Sequence, residues 1–313
     1  MGRDVEQPTG GKQPSQVRHS SRSDAISSNY QAAKAAMNRG HSLATSSALA
    51  EAIDAYSEAI QILDTLPPSQ ETSNSLGAAL MNRGQLLHQC HGLEQAERAL
   101  QDFQRAARLL TPLKLATWPR RNLNGVLLNQ ANLLLDLQLP SDALHVANTA
   151  IETVRFERHA DPTDTELAVL AARSYCDAVG QLLPTLPPPE QDRLAQQANK
   201  HSQSALAHIR ALRPYLTHEP FAQASQRLFH FGCLLLATLL PAELPHLIAH
   251  HFQDLQDERT RTQLINTSRE AIQLALQEIS KTAKSPHTSP QEQDSLAQLS
   301  ERLGELHQQL PFL

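Results

Sequence analysis

Aromatic residues are only 4% of the 313 positions, and glycine occurs just 11 times. Val and Ile are sparse too, and no run alternates Val, Ile or Thr with polar residues, which excludes a sheet-rich fold. There is no Gly-x-Ser-x-Gly and no Gly-rich phosphate loop, so neither a nucleophile elbow nor a nucleotide cradle is expected. The three cysteines, Cys90, Cys176 and Cys233, are odd in number and far apart. That excludes a disulfide framework or a Cys-x-x-Cys metal site, and they read as buried, reduced thiols. No Lys/Arg cluster exceeds a pair such as Arg120-Arg121, and the formal net charge is -5, so a nucleic-acid footprint is absent. The most apolar stretch, Phe229 to Leu240, stops at Pro241 and is too short to span a bilayer. The first residues hold no apolar leader, and Glu6 stands where a myristoylation signal needs Ser or Thr. The expectation is a cytoplasmic protein with no membrane contact, no cofactor and no bound metal.

What the chain has is a repeat. Met37-Asn38-Arg39-Gly40 recurs as Met81-Asn82-Arg83-Gly84, 44 residues on, and a degraded copy, Leu128-Asn129-Gln130-Ala131, follows 47 residues later. A period of this size marks units that cannot bury a core alone and must stack. Each copy sits in a helical stretch (29–43, 71–89 and 119–137) that precedes a second one (46–64, 93–110 and 141–156). In the second stretches Ala52, Tyr56 and Ala59 fall on one helix face, as do Ala99, Phe103 and Ala106, and Ala143, Ala147 and Ala150. From the small residue to the first of these alanines is 12 residues in units one and three but 15 in unit two, which predicts a three-residue insertion in the turn near His91-Gly92.

These residues resemble the tetratricopeptide repeat family. That family has a small residue in helix A, then Ala, a bulky residue and Ala in helix B, then Pro. Gly40, Ala52, Tyr56, Ala59 and Pro67 match, as do Gly84, Ala99, Phe103, Ala106 and Pro112. Ala131, Ala143, Ala147 and Ala150 match more loosely, with Ala147 small where the family is bulky. The family's aromatic residues of helix A are missing, so the likeness is to its long-unit, degenerate branch, over residues 29–156. The physical logic is packing: small residues let helices A and B approach, and the bulky one fills the gap. The resemblance implies an all-α, right-handed solenoid of antiparallel helix pairs, with about ten to twelve helices.

The predicted organisation has a disordered Ser/Gly/Pro-rich tail over 1–27 and three repeats over 28–158. Further degenerate helical hairpins cover 159–282. A fourth uses 164–183 and 190–212, and a fifth 219–239 and 260–281, with a short helix at 243–256 between them. A linker and an amphipathic helix over 283–313 would cap the array through Leu296, Leu299, Leu303, Leu306 and Leu310.

Asn38, Asn82 and Asn129 recur two residues before the small residue, and Asn132 lies on the same helix as the last. An amide offers donors and acceptors to a peptide backbone. Long-unit members of the resembled family place asparagines on the concave wall to bind an extended peptide, which implies a ladder of Asn38, Asn82 and Asn129 extended by Asn132. Arg39 and Arg83 stand next to it, placed to meet acidic groups of a peptide or to pair with a nearby Glu. His246, His250 and Asp254 share one helix face, without the Glu of a His-Glu-x-x-His motif, and read as solvated surface. No catalytic constellation can be picked out. The expected function is a non-enzymatic scaffold that binds a protein or peptide partner. The alternative is a self-associating structural protein using the terminal leucine stripe, possible as a homo-oligomer. A peptide-responsive regulator acting through another protein is the remote third.

Overall fold

The computed structural model describes residues 14–154, 162–211, 226, 229–230, 232–233, 237, 241–253, 255–284 and 290–310. Among these residues there is no strand, and eleven α-helices are delimited. They are α1 Pro14–Thr45, α2 Leu49–Thr65, α3 Gln70–Gln89, α4 Leu93–Leu110, α5 Thr117–Asp136, α6 Pro140–Thr153, α7 Pro162–Leu182, α8 Pro188–Ala211, α9 Leu244–Phe252, α10 Glu258–Ala283 and α11 Pro290–Gln309. Consecutive helices pack on one another: α1 with α2, α2 with α3, α3 with α4, α6 with α7, α7 with α8, and α10 with α11. Five of the eleven begin on a proline. Its fixed φ suits the first helical position, where its missing N–H has no partner to lose. Two others have side-chain caps: Ser69 Oγ accepts from Thr72 N at 3.0 Å, and Asp257 Oδ2 accepts from Thr260 N at 2.8 Å.

Residues 14–27, expected to be disordered, belong to α1. No glycine or proline interrupts Ser15 to Arg39. Once packing fixes the later turns, propagation towards the N-terminus adds one hydrogen bond per residue and needs no new nucleus.

The chain divides into two compact lobes, Met1–Val126 and Leu127–Leu313. The division falls inside α5. The early turns of α5 pack on α3, where Asn122 bonds Asn74 and a Cβ on Gly125 would come 3.1 Å from Met81 Sδ. Its later turns put Ala131 in a buried cluster with Ala147, Tyr175, Val179 and Leu194.

In the first lobe the small residue meets the bulky one, as the spacing implies. A Cβ on Gly40 would come 2.9 Å from the Tyr56 ring, and one on Gly84 would come 2.7 Å from the Phe103 ring. Each ring packs against the bare backbone of its glycine, and burying such a side chain stabilises by about 1.5–3 kcal/mol. In the third hairpin the sizes change in both directions: Ala131 replaces the glycine and Ala147 the ring.

The turn insertion predicted near His91-Gly92 is not there. Helix B starts nine residues after the small residue in all three hairpins: Gly40 to Leu49, Gly84 to Leu93, Ala131 to Pro140. The extra three residues lie inside α4, where Phe103 comes ten residues after the helix start against seven for Tyr56 in α2. Three residues are nearly one turn, so the ring keeps close to its face while moving about 4.5 Å along the axis. Each turn holds a non-glycine residue at positive φ: Ser47 (62°), His91 (51°) and Gln138 (60°). After Ser47 and Gln138, the amides of Ala48 and Leu139 close back onto Leu43 O and Leu134 O at 3.0 and 2.8 Å, a Schellman closure. After His91 comes Gly92 at φ 114° and ψ 146°, a conformation open to glycine. That different exit accompanies the added turn of α4.

In the second lobe, α7, α8, α9, α10 and α11 share a core that includes Val169, Leu206, Ile209, Phe229, Leu247, Ile272 and Leu303. The terminal leucine stripe faces this core: Leu303 and Leu310 are buried, and Leu296, Leu299 and Leu306 pack against it. The helix expected over 219–239 and the linker over 285–289 lie largely outside the described residues, as does Asp254. All three cysteines are free, but Cys90 is exposed at the end of α3 and not buried as expected, while Cys176 and Cys233 are buried. Among the described residues no helix is long and apolar enough to cross a membrane.

Candidate functional site

Adjacent first helices of successive hairpins are joined by polar bridges. The Tyr30 and Ser75 hydroxyls share a hydrogen bond of 2.8 Å between α1 and α3. Asn122 Nδ2 donates to Asn74 Oδ1 at 2.9 Å between α5 and α3. Tyr30 and Asn74 each stand ten residues before their small residue, and Ser75 and Asn122 each nine before theirs. The stagger of one residue is therefore the same at both joints. Ser174 Oγ donates to Asn132 Oδ1 at 3.0 Å between α7 and α5. Asn132 follows its small residue by one, so the same stagger gives the buried Ala172 the place held earlier by Gly40, Gly84 and Ala131. Sequence spacing alone carried this signal, but only to a reader who compared neighbouring units position by position.

The predicted site residues do not behave as one set. A residue two places before the small one is rotated about 200° from it, away from the partner helix B. Asn38 is exposed, while Asn82 and Asn129 are half-buried. Asn82 is already engaged: burial pushes the Tyr56 phenol above its ordinary pKa, and a hydrogen bond from Asn82 opposes that shift. Its amide thus ties α3 to α2. Arg39 pairs with Glu58, both about half exposed. Arg83 is committed more deeply. Its Nε and Nη2 grip the buried Asp102 at 2.8 and 2.7 Å, and its Nη1 donates to Ser57 Oγ at 3.1 Å. One guanidinium so joins α2, α3 and α4. His246 is exposed and His250 half-buried, whereas His251 is buried, its Nδ1 2.9 Å from Leu247 O and its ring against Phe229.

Asn132 is the predicted residue that lines a cavity. A cleft of about 510 Å³ in the second lobe is bounded by Asn132, Leu135 and Asp136 of α5 and by Cys176, Asp177, Gly180 and Gln181 of α7. Asp136 closes α5, and the α7 residues occupy its last two turns. Burial pushes the Asp177 carboxyl above its ordinary pKa, with Arg173 at 3.7 Å opposing the shift. Burial also pushes the Cys176 thiol up, against a hydrogen bond with Ser202 Oγ at 3.3 Å. A thiol held in this way stays protonated and is a poor nucleophile. Among the described residues no group of three His, Cys, Asp or Glu is placed to hold a metal ion. The sequence offered no pattern for Asp136, Asp177 and Gln181, because the cleft they line forms only when α5 and α7 lie side by side.

No protein-family model matches the chain, and no curated protein matches it.

Proposed function

We propose that this protein is a tetratricopeptide-like scaffold, a right-handed solenoid of antiparallel helix pairs that binds a segment of a partner protein. It acts by binding and not by catalysis, and it works in the cytoplasm. The observation that carries this reading is the cleft between α5 and α7, with Asn132 on its wall. A cleft between successive first helices is where a stacked array offers polar groups to a chain lying across it. The Oδ1 of Asn132 accepts from Ser174, and the NH2 of the same amide is a donor suited to a peptide carbonyl. The matching stagger at successive joints supports stacking of one common unit. The rings seated on Gly40 and Gly84 support the family resemblance at the positions that define it.

The test is capture from native lysate with the full chain as bait. The comparison is an Asn38→Ala/Asn129→Ala/Asn132→Ala variant that leaves Asn82 on Tyr56. The expected result is a discrete partner retained by the wild type and lost by the variant at unchanged melting temperature. Equal recovery by both rejects the asparagine contacts.

A further inference from the structure

We propose that the α5–α7 cleft receives the basic side chain, Arg or Lys, of an extended partner segment, an assignment that rests on the scaffold reading above. The cleft is large enough for a guanidinium and part of its stem. Leu135 and the Cys176 side chain give the stem an apolar wall, while the oxygen-bearing side chains Asp136, Asp177 and Gln181 line the cleft around its head. Both helices end here, and a helix C-terminus presents about half a negative charge. Side-chain charge and helix polarity thus point to the same sign of ligand, and the cleft volume admits one such side chain.

The surroundings of Asp177 agree with this placement. Its recorded cation, Arg173, is 3.7 Å away on the same helix, and both side chains are about half exposed. Desolvation of the carboxylate outweighs what Arg173 returns, so an added cation in the cleft gains more there than at a fully solvated acid. The cleft is open beside Gly180, where an added Cβ would have no heavy atom within 4 Å. The oxygens are of mixed type, two carboxylates and the Gln181 amide. Such a set suits a group that donates several N–H bonds better than a bare divalent ion, which takes six or more oxygens.

The experiment uses the full chain, isotope-labelled, and follows amide signals of Asn132, Gly180 and Gln181 during titration with acetyl-Gly-Arg-Gly-amide. The matched control is the citrulline tripeptide, equal in shape and without charge. The expected result is saturable shifts with arginine and at least about tenfold weaker binding of citrulline. Asp177→Asn should weaken arginine binding by about tenfold as well. Gly180→Leu, which fills the space and leaves every charge in place, should abolish the shifts while the other signals stay where they were. Shifts of equal size with both tripeptides, or none with either, overturn the proposal. The lysate capture separates the two readings. A partner that survives Asp177→Asn and Gly180→Leu leaves the scaffold standing and removes the cation pocket. Tripeptide binding with no partner captured leaves the pocket and removes the scaffold.

Discussion

The α1–α2 and α3–α4 hairpins contain the same ion pair at the same spacing, and it does different work in each. Arg39 and Glu58 are 19 residues apart, as are Arg83 and Asp102. The first pair is half exposed, so water screens it and side-chain entropy opposes it. The second is gripped by two parallel bonds, with Asp102 only 5% exposed. Two features account for the contrast. The added turn of α4 moves the ring from Tyr56-like to Phe103-like register, which brings the preceding Asp102 inward beside it. The α3–α4 hairpin also has α2 beside it, whose Ser57 takes the remaining Nη1 of Arg83. A conserved spacing thus fixes which residues meet, and the neighbouring hairpin decides how much the meeting stabilises.

The sharpest way to break this contrast is Asp102→Ala, which strands a largely buried guanidinium. It should destabilise the fold by about 3–5 kcal/mol, read as a lower urea midpoint. Replacing both partners, as Arg83→Met/Asp102→Leu, should recover most of that loss. Next in size is Gly84→Ala, whose new Cβ would meet the Phe103 ring at 2.7 Å. It should cost about 1–3 kcal/mol, and adding Phe103→Leu should return part of it, because the third hairpin already combines a larger small residue with a smaller bulky one. Asn82→Ala removes the hydrogen bond to Tyr56 and should cost about 1 kcal/mol, visible in thermal unfolding. Smallest is Arg39→Ala, at most about 0.5–1 kcal/mol and within error in many assays. A loss at Arg39 as large as that at Arg83 would end the comparison.

Where the sequence was legible, it was so through repetition. Gly40, Tyr56, Gly84 and Phe103 could be paired before any coordinates, because size complementarity across a hairpin leaves a spacing behind. The same logic misplaced the three extra residues. Counting from Gly84 to Ala99 gives their number, yet only the path of the backbone separates a longer turn from a longer helix. The asparagines were legible as a recurrence and not as a site. Asn82 meets the Tyr56 phenol of the preceding hairpin, whereas Asn38 is exposed on α1. Asp136 and Asp177 were silent for another reason. They lie 41 positions apart with nothing in common locally, and only the lateral packing of α5 on α7 brings them to one cleft.

The three turns at Ser47, His91 and Gln138 have a consequence for the history of the chain. Each connects its helices at the same nine-residue spacing from the small residue, although the turn at His91 leaves by a different backbone conformation. A gene duplication with its breakpoints in these turns would deliver a helix pair with its joint already formed. The chain could then gain or lose whole pairs, and a later gain such as the added turn of α4 would alter one pair without disturbing the next joint.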